Sequence, residues 1–182
     1  MKFTQDWFSN NIPNFEMCYR ILGTVKSCLE IGSFEGRATC WMLENMVSSY
    51  GSMVCVDTFE GGEEHAGLDL SGLRKTFDSN VAEVLTKSQA FEVVNKRSWR
   101  ALCEFAGNKT FDFIYVDGSH QTADVLLDAC LSFKLLKPYG IILFDDYAGG
   151  AGVGEAVDAF LSTHKGLVNV VLKNYQLAVQ KV

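Results

Sequence analysis

The stretch "SCLEIGSFEGRATC", residues 27–40, decides the fold of this chain. An apolar run from Cys28 to Ile31 leads into a turn that holds Gly32 and Gly36, and a segment with helical spacing follows. This order predicts a strand, a tight turn and a helix, the first unit of a parallel α/β sheet. Ligands of such sheets bind beyond the carboxyl ends of the strands, so the turn is a candidate ligand site.

Downstream of this unit, apolar runs alternate with segments that have one apolar helical face. Further strands are predicted at 53–57, 91–94, 111–118, 141–146, 167–172 and 176–182. Helices are predicted at 14–22, 37–49, 70–84, 98–105, 121–134 and 153–163, with Asn14 as the N-cap of the first and "LKPYG" (136–140) as a turn. The last two strands are joined by a connection too short for a crossover and should be antiparallel. We therefore expect a doubly wound, mostly parallel seven-stranded α/β sheet with a C-terminal antiparallel hairpin.

Composition and charge exclude several classes of protein. A chain of 182 residues with 48% hydrophobic and 21% charged residues predicts one globular domain over 1–182, with residues 1–25 as an N-terminal helical cover. The net charge of −6 and the lack of a Lys/Arg run argue against nucleic acid as a partner. The six cysteines form no metal or disulfide pattern, and no signal or membrane-spanning segment is evident, which predicts a cytoplasmic protein. The aromatic-rich start, "FTQDWFSNNIPNF", either covers the substrate or forms an interface, so a homo-oligomer is an open expectation.

The glycine turn narrows the choice of ligand. It lacks the Gly-Lys-Ser/Thr ending of a phosphate loop, which argues against a nucleoside triphosphate. Phe34 stands where a dinucleotide fingerprint has its second glycine, which argues against NAD. Asp57 ends the second strand 25 residues after Gly32, and a carboxylate there suits the two hydroxyls of a ribose. A nucleoside without phosphates but with a positive charge, such as S-adenosylmethionine, fits this pattern.

Four stretches together resemble one known family. "LEIGSFEGRAT", "VCVDTFEGG", "FDFIYVDGSH" and "LLKPYGIILFDDY" are similar to the class I S-adenosylmethionine-dependent methyltransferases, closest to the small metal-dependent O-methyltransferases of the catechol and macrolide-sugar types. The resemblance implies that the first turn receives the methionine end of the cofactor, the end of the second strand the ribose, and residues 97–99 the adenine. The implied cofactor-binding residues are Glu30, Gly32, Ser33, Phe34, Gly36, Asp57, Thr58, Ser98, Trp99 and Asp117. Ser98 is equally well interpreted as a helix N-cap.

A second group of acidic residues lies at the ends of the fourth and fifth strands. Asp117, Asp145 and Asp146 should converge there, and three neighbouring carboxylates repel unless a cation or shared protons intervene. An all-oxygen site suits Mg²⁺, with Ca²⁺ or Mn²⁺ as alternatives. Adjacent strand residues point to opposite faces, so Asp145 and Asp146 share a metal only if the strand has already turned. Otherwise one of them caps the next loop and no metal binds.

His120, three residues after Asp117, completes the predicted site. The resemblance implies a catalytic base at this position, and a histidine can take a proton near neutral pH. His120 and Asp117 are therefore the candidate catalytic residues of an O-methyltransferase that acts on a hydroxyl of a small molecule. Two alternatives remain open, namely an NAD-linked oxidoreductase and a non-catalytic cofactor-binding module. His65, in the loop 58–69, is interpreted as part of a solvated lid.

Overall fold

The structure is a computed structural model that describes residues 1–62, 65–149 and 152–182. The seven strands are β1 Val25–Ile31, β2 Val47–Val56, β3 Ala90–Val94, β4 Phe111–Val116, β5 Leu136–Phe144, β6 Val168–Lys173 and β7 Leu177–Lys181. The six helices are α1 Ile12–Leu22, α2 Arg37–Asn45, α3 Leu73–Val84, α4 Ser98–Phe105, α5 Thr122–Leu135 and α6 Val153–Thr163. A short 3₁₀ helix, Ser9–Asn11, precedes α1. Among the helices described, none is both long and apolar enough to cross a membrane.

All seven strands form one sheet in the order β3-β2-β1-β4-β5-β7-β6. Neighbouring strands are parallel from β3 to β5, and β7 runs antiparallel to both β5 and β6. The expected doubly wound sheet with a C-terminal antiparallel hairpin is confirmed. Strand order reverses at β1, which pairs with β2 on one side and with β4 on the other. The ends of these strands are aligned, with Ile31 opposite both Val56 and Val116, and this edge is where a ligand is expected.

Alternate residues of the buried strands supply two hydrophobic clusters, one on each face of the sheet. On one face, Leu29 and Ile114 belong to a cluster with side chains of α4, α5 and α6. On the other face, Cys28 and Phe113 belong to a cluster with side chains of α1, α2 and α3. Helices therefore cover both faces, and the strand ends are left for a site.

In two segments the predicted kind of element is wrong, and the helix predicted over 70–84 begins only at Leu73. The helix predicted over 37–49 ends at Asn45, because Val47 already pairs with Val25 as the start of β2. The predicted turn at 136–140 belongs to β5, since Leu136 pairs with Phe111 before an irregularity in the register. Tyr139 takes a positive φ of 62° there, so a distorted strand accommodates the Pro-Tyr-Gly sequence.

The predicted role of Asn14 as a helix cap is also wrong. Helix α1 begins at Ile12 with Asn11 as the N-cap residue, and Pro13 lies in its first turn, where its missing N–H costs no hydrogen bond. The side chain of Asn14 is buried and donates to Oε1 of Gln176 at 2.8 Å. Gly23 ends the helix with a positive φ, as expected.

Candidate active site

The glycine turn between β1 and α2 is fixed by close contact between strand ends. The N–H of Gly32 donates to the carbonyl of Val56 at 2.9 Å, and the N–H of Asp117 donates to the carbonyl of Ile31 at 2.8 Å. Gly32 has a φ of +82°, and a Cβ on it would lie 1.9 Å from the carbonyl oxygen of Asp117. Only glycine fits at this position, since the conformation and the space both exclude a side chain.

Gly36, the second glycine of the turn, faces away from the strand ends. Its φ is +81°, and a Cβ there would lie 2.9 Å from the ring of Phe77 in α3. Gly36 is absent from the described lining of the cavity at this edge of the sheet. Gly36 is the N-cap residue of α2 and shapes the start of that helix, and its predicted part in cofactor binding stays a prediction.

The side chain of Asp57 accepts hydrogen bonds from backbone N–H groups of the turn. Oδ2 accepts hydrogen bonds from the N–H groups of Ser33 at 2.7 Å and Phe34 at 2.9 Å, and Oδ1 accepts from the N–H of Phe59 at 2.6 Å. Phe34 has a positive φ of 48°, a conformation unusual for a side-chain-bearing residue. The carboxylate predicted to bind ribose therefore also fixes the shape of the turn. Thr58, which follows it, lines the same cavity.

Glu30 is a fully buried acid at the end of β1. Its Oε2 accepts hydrogen bonds from the hydroxyls of Ser33, at 2.6 Å, and Thr39, and from the thiol of Cys55 at 3.2 Å. Its Oε1 has no hydrogen-bond partner among the described residues. Burial raises the pKa of Glu30 to about 7, above its ordinary value. A ligand that brings a positive charge to Oε1 would stabilise the ionised form.

A cavity of about 1700 Å³ opens at the carboxyl ends of the strands. It is large enough for a nucleoside cofactor and a second small molecule, since ligand pockets of proteins commonly measure several hundred Å³. With the exception of Gly36, every residue predicted to bind cofactor or metal lines it, as does His120: Glu30, Gly32, Ser33, Phe34, Asp57, Thr58, Ser98, Trp99, Asp117, His120, Asp145 and Asp146.

The three predicted metal-binding aspartates do not form one group. One oxygen each of Asp117 and Asp146 and one ring nitrogen of His120 all lie within 4.8 Å of one another. The Nε2 of His120 is 2.9 Å from Oδ2 of Asp146, and the hydroxyl of Tyr175 donates to Oδ1. Asp146 has a φ of 52°, so the chain has already turned at the end of β5. The turn brings Asp146 to Asp117 and His120, and the assignment of Asp145 to a metal stays a prediction.

Asp145 instead lies in a buried hydrogen-bond network that the sequence did not reveal. Its carboxylate accepts from the hydroxyl of Tyr115 at 2.7 Å, the amide of Gln176 at 2.8 Å and the amide of Asn11 at 3.3 Å. The Tyr115 hydroxyl also lies 3.0 Å from Oδ2 of Asp117. No spacing signal marks these donors, because they come from three distant parts of the chain.

The electrostatics of this edge follow from burial and charge. Burial, together with the negative charges of Asp145 and Asp146, raises the pKa of Asp117 well above its usual range. The hydrogen bond from His120 lowers the pKa of Asp146. Asp146 is therefore more readily ionised than Asp117. A cation between the two carboxyl groups would reduce the electrostatic repulsion between them.

The N-terminal segment lies at the mouth of the cavity. Trp7 packs on Phe34, with ring centroids 5.1 Å apart, and His65 stacks on the same ring at 4.9 Å. The backbone N–H of Thr4 donates to Glu35 at 2.6 Å, which ties the segment to the glycine turn. His65, interpreted from sequence as part of a solvated lid, thus packs on an aromatic wall of the site.

Ser98 and Trp99 lie at the start of α4 and line the cavity. Arg97 is the N-cap residue, so the interpretation of Ser98 as the N-cap is wrong. Asp128 of α5 lines the same cavity. The ring of Trp99 is 41% exposed and lies under the guanidinium of Arg100, 5.1 Å from the ring centre.

Open α/β folds bind their ligands beyond the carboxyl ends of the strands, and the cavity lies there in this protein. The model of the methyltransferase domain family matches residues 29–147, and the chain belongs to this family. This match confirms the resemblance to class I methyltransferases and the expectation of an enzyme.

Solved O-methyltransferases share the fold. An O-methyltransferase from Bacillus cereus in complex with SAH has a TM-score of 0.70 and 18% identity, with 98% of this chain and 84% of that chain covered. TomG from Streptomyces achromogenes, of tomaymycin synthesis and in complex with SAM, has a TM-score of 0.67 and 16% identity, covering 93% and 79%. CalS11, a TDP-rhamnose 3'-O-methyltransferase of calicheamicin biosynthesis, has a TM-score of 0.66 and 14% identity, covering 94% and 79%. No curated protein matches the sequence significantly.

Proposed function

We propose that the protein is an S-adenosylmethionine-dependent O-methyltransferase that acts on a hydroxyl of a small molecule. The observation that carries the proposal is Glu30, whose buried Oε1 has no donor within the described chain and lies in the wall of the cavity. The cofactor's ammonium group would supply that donor. Asp57, beside the same turn, would receive the ribose. Two of the similar structures, from B. cereus and S. achromogenes, contain SAH and SAM.

The acidic edge supports a divalent cation at the methyl acceptor. Asp117 and Asp146 would hold it, and carboxylate oxygens suit Mg²⁺ or Mn²⁺. The predicted ligand Asp145 would act through its hydrogen bond to Tyr115, which also reaches Asp117. When bound, the cation would lower the pKa of an acceptor hydroxyl.

The chain's own residues would bind the acceptor and move its proton. A hydroxyl near Asp117 would lie within reach of His120, whose side chain is about one-third exposed. Nε2 of His120 can accept the proton once its contact with Oδ2 of Asp146 is broken. The N-terminal segment 1–25, with Trp7 at the mouth, would cover the acceptor within a single domain. An acceptor with two neighbouring oxygens, such as a sugar diol or a catechol, suits this arrangement, and CalS11 is described as acting on a sugar.

Calorimetry with S-adenosylhomocysteine and with NAD tests the cofactor. We expect S-adenosylhomocysteine to bind with micromolar or tighter affinity, and NAD to show no heat of binding. Binding of NAD alone would contradict the proposal and would favour the oxidoreductase alternative. Transfer of a labelled methyl group to small diols and catechols then distinguishes an enzyme from a non-catalytic module.

Thermal unfolding with added Mg²⁺ or Mn²⁺ tests the cation site. A ligand that binds only the folded state raises the melting temperature by mass action. We expect Asp117→Ala and Asp146→Ala to abolish this rise, and Asp145→Asn to retain it. His120→Ala should keep the rise and lower methyl transfer, because His120 acts as the base and not as a ligand; loss of the rise would contradict this role. A wild-type melting temperature unaffected by either cation would contradict a metal site.

A further inference from the structure

Asp128 of α5 is a buried acid in the wall of the cavity that the proposed function leaves unused. The residue is 2% exposed and lines the cavity together with Ser98. Its Oδ1 has no hydrogen-bond partner in the described part of the chain. A buried carboxyl oxygen without a donor is unfavourable, so a ligand that brings an N–H group to it would gain a strong hydrogen bond.

The surroundings of Asp128 define the shape of this part of the cavity. Gly118, after the end of β4, lies beside the carboxyl group, since a Cβ on it would be 3.9 Å from Oδ2 of Asp128. Trp99 and Leu127 line the same cavity and are 41% and 42% exposed. A cavity lined by an aromatic ring, an apolar side chain and a buried carboxyl group suits a heteroaromatic ring that carries an amino group.

We propose that the carboxyl group of Asp128 binds the exocyclic 6-amino group of the cofactor's adenine and selects adenine over 6-oxo purines. The proposal rests on the proposed function, because it requires an S-adenosyl ligand. The amino group would supply the donor that Oδ1 of Asp128 lacks in the described part of the chain.

Adenine and a 6-oxo purine differ in the group at position 6, and this difference makes the proposal testable. A 6-amino group donates to a carboxylate, whereas a 6-oxo group would place one acceptor against another. Burial raises the pKa of Asp128 to about 7, so the carboxylate is the main form at pH 8.5. An asparagine amide can accept from a 6-amino group or, turned over, donate to a 6-oxo group. A leucine side chain can do neither.

Calorimetry at pH 8.5 should compare S-adenosylhomocysteine with S-inosylhomocysteine, its 6-oxo analogue. We expect the wild type to prefer the adenosyl ligand by roughly tenfold or more, the scale of a buried hydrogen bond to a charged group. In Asp128→Asn the adenosyl affinity should stay within about threefold, while the inosyl affinity rises and the preference falls. Asp128→Leu should lose roughly tenfold of adenosyl affinity and bind both ligands equally.

Asp124→Asn is the matched control, because Asp124 lies one turn earlier on α5 and is exposed. It removes a nearby negative charge without touching Asp128 and should keep the wild-type preference. If wild type binds neither ligand, the proposed function itself fails. If wild type binds S-adenosylhomocysteine and the Asn and Leu variants keep its preference, the role of Asp128 is overturned. Should Asp128→Leu fail to fold by circular dichroism, Asp128→Asn decides, since it preserves the size of the side chain.

Discussion

Two acids at the ends of β1 and β2 lie in different surroundings. Asp57 accepts hydrogen bonds from three backbone N–H groups. Glu30 is fully buried, and burial opposes its ionisation more strongly than three side-chain donors favour it. The sequence placed both residues at the turn, but it could not show this difference, because burial and donors arise only when the strands are assembled.

Glu30→Gln should stabilise the protein without ligand at pH 8 and have little effect at pH 4.5. The pKa of Glu30 is raised from 4.5 to about 7, so the folded state binds this proton more tightly than the unfolded chain. The wild type therefore loses stability as the pH rises from about 4.5 to 7, on the order of 3 kcal/mol, and the Gln variant does not. Urea unfolding of both proteins across this range measures the difference. A difference that does not change with pH would show that Glu30 is ionised throughout.

Asp57→Ala should weaken both the turn and the binding of S-adenosylhomocysteine. Loss of a carboxylate that accepts three N–H groups should lower the free energy of unfolding by about 1.5–3 kcal/mol, and affinity should fall with it. Asp69→Ala is a suitable control, since Asp69 accepts from the N–H of Ser71 in an exposed turn away from the strand ends. Thermal unfolding and calorimetry on the two variants give both quantities. Unchanged affinity in Asp57→Ala would refute the ribose assignment.

At the scale of single elements, three glycines with nearly the same φ allow the cost of an added side chain to be compared in different surroundings. Gly32, Gly36 and Gly107 have φ values of +82°, +81° and +81°. An added Cβ meets a backbone carbonyl at Gly32, the ring of Phe77 at Gly36 and nothing within 4 Å at Gly107. Gly107→Ala should cost only the conformational strain, about 1 kcal/mol, and Gly36→Ala about 1–3 kcal/mol more. Gly32→Ala should be the most destabilising, because the strand ends must separate. Urea unfolding ranks them, and equal losses would mean that strain alone matters.

Elements with local signals were predicted well from sequence, and those that depend on a distant partner were not. The helices Ser98–Phe105 and Val153–Thr163 begin and end as predicted, since their apolar spacing and boundaries are local. The distorted start of β5 was predicted as a turn, because Pro138 and Gly140 are typical of turns and only pairing with β4 makes this segment a strand. Likewise, Val47 belongs to β2 only because it pairs with β1.

At the scale of the whole molecule, buried hydrogen bonds connect segments that are far apart in the sequence. Asn14 of α1, Gln176 before β7 and Asp145 after β5 form a buried chain of hydrogen bonds, with 2.8 Å between Asn14 and Gln176 and 2.8 Å between Gln176 and Asp145. The N-terminal segment, the C-terminal hairpin and the acidic edge are thereby joined. Sequence reasoning placed Asp145 at this edge, but it could not show these hydrogen bonds, because the partners of Asp145 are 30 or more residues away along the chain.

Gln176→Leu should therefore destabilise the protein far more than its position in a hairpin turn suggests. Gln176 is fully buried, and its loss leaves the Asp145 carboxylate and the Asn14 amide each without one partner. Each unpaired buried group costs about 1–3 kcal/mol, so a loss of about 2–4 kcal/mol is expected in urea unfolding. Gln180→Leu is the matched control, because its amide donates to the carbonyl of Tyr139 at an exposed site and its loss should cost less than about 1 kcal/mol. Equal losses in the two variants would show that the network does not join the two ends of the chain to the acidic edge. A larger loss in Gln176→Leu that disappears when Asp145 is also changed to Asn would show that the buried charge is the reason, since only coupled residues give non-additive free energies.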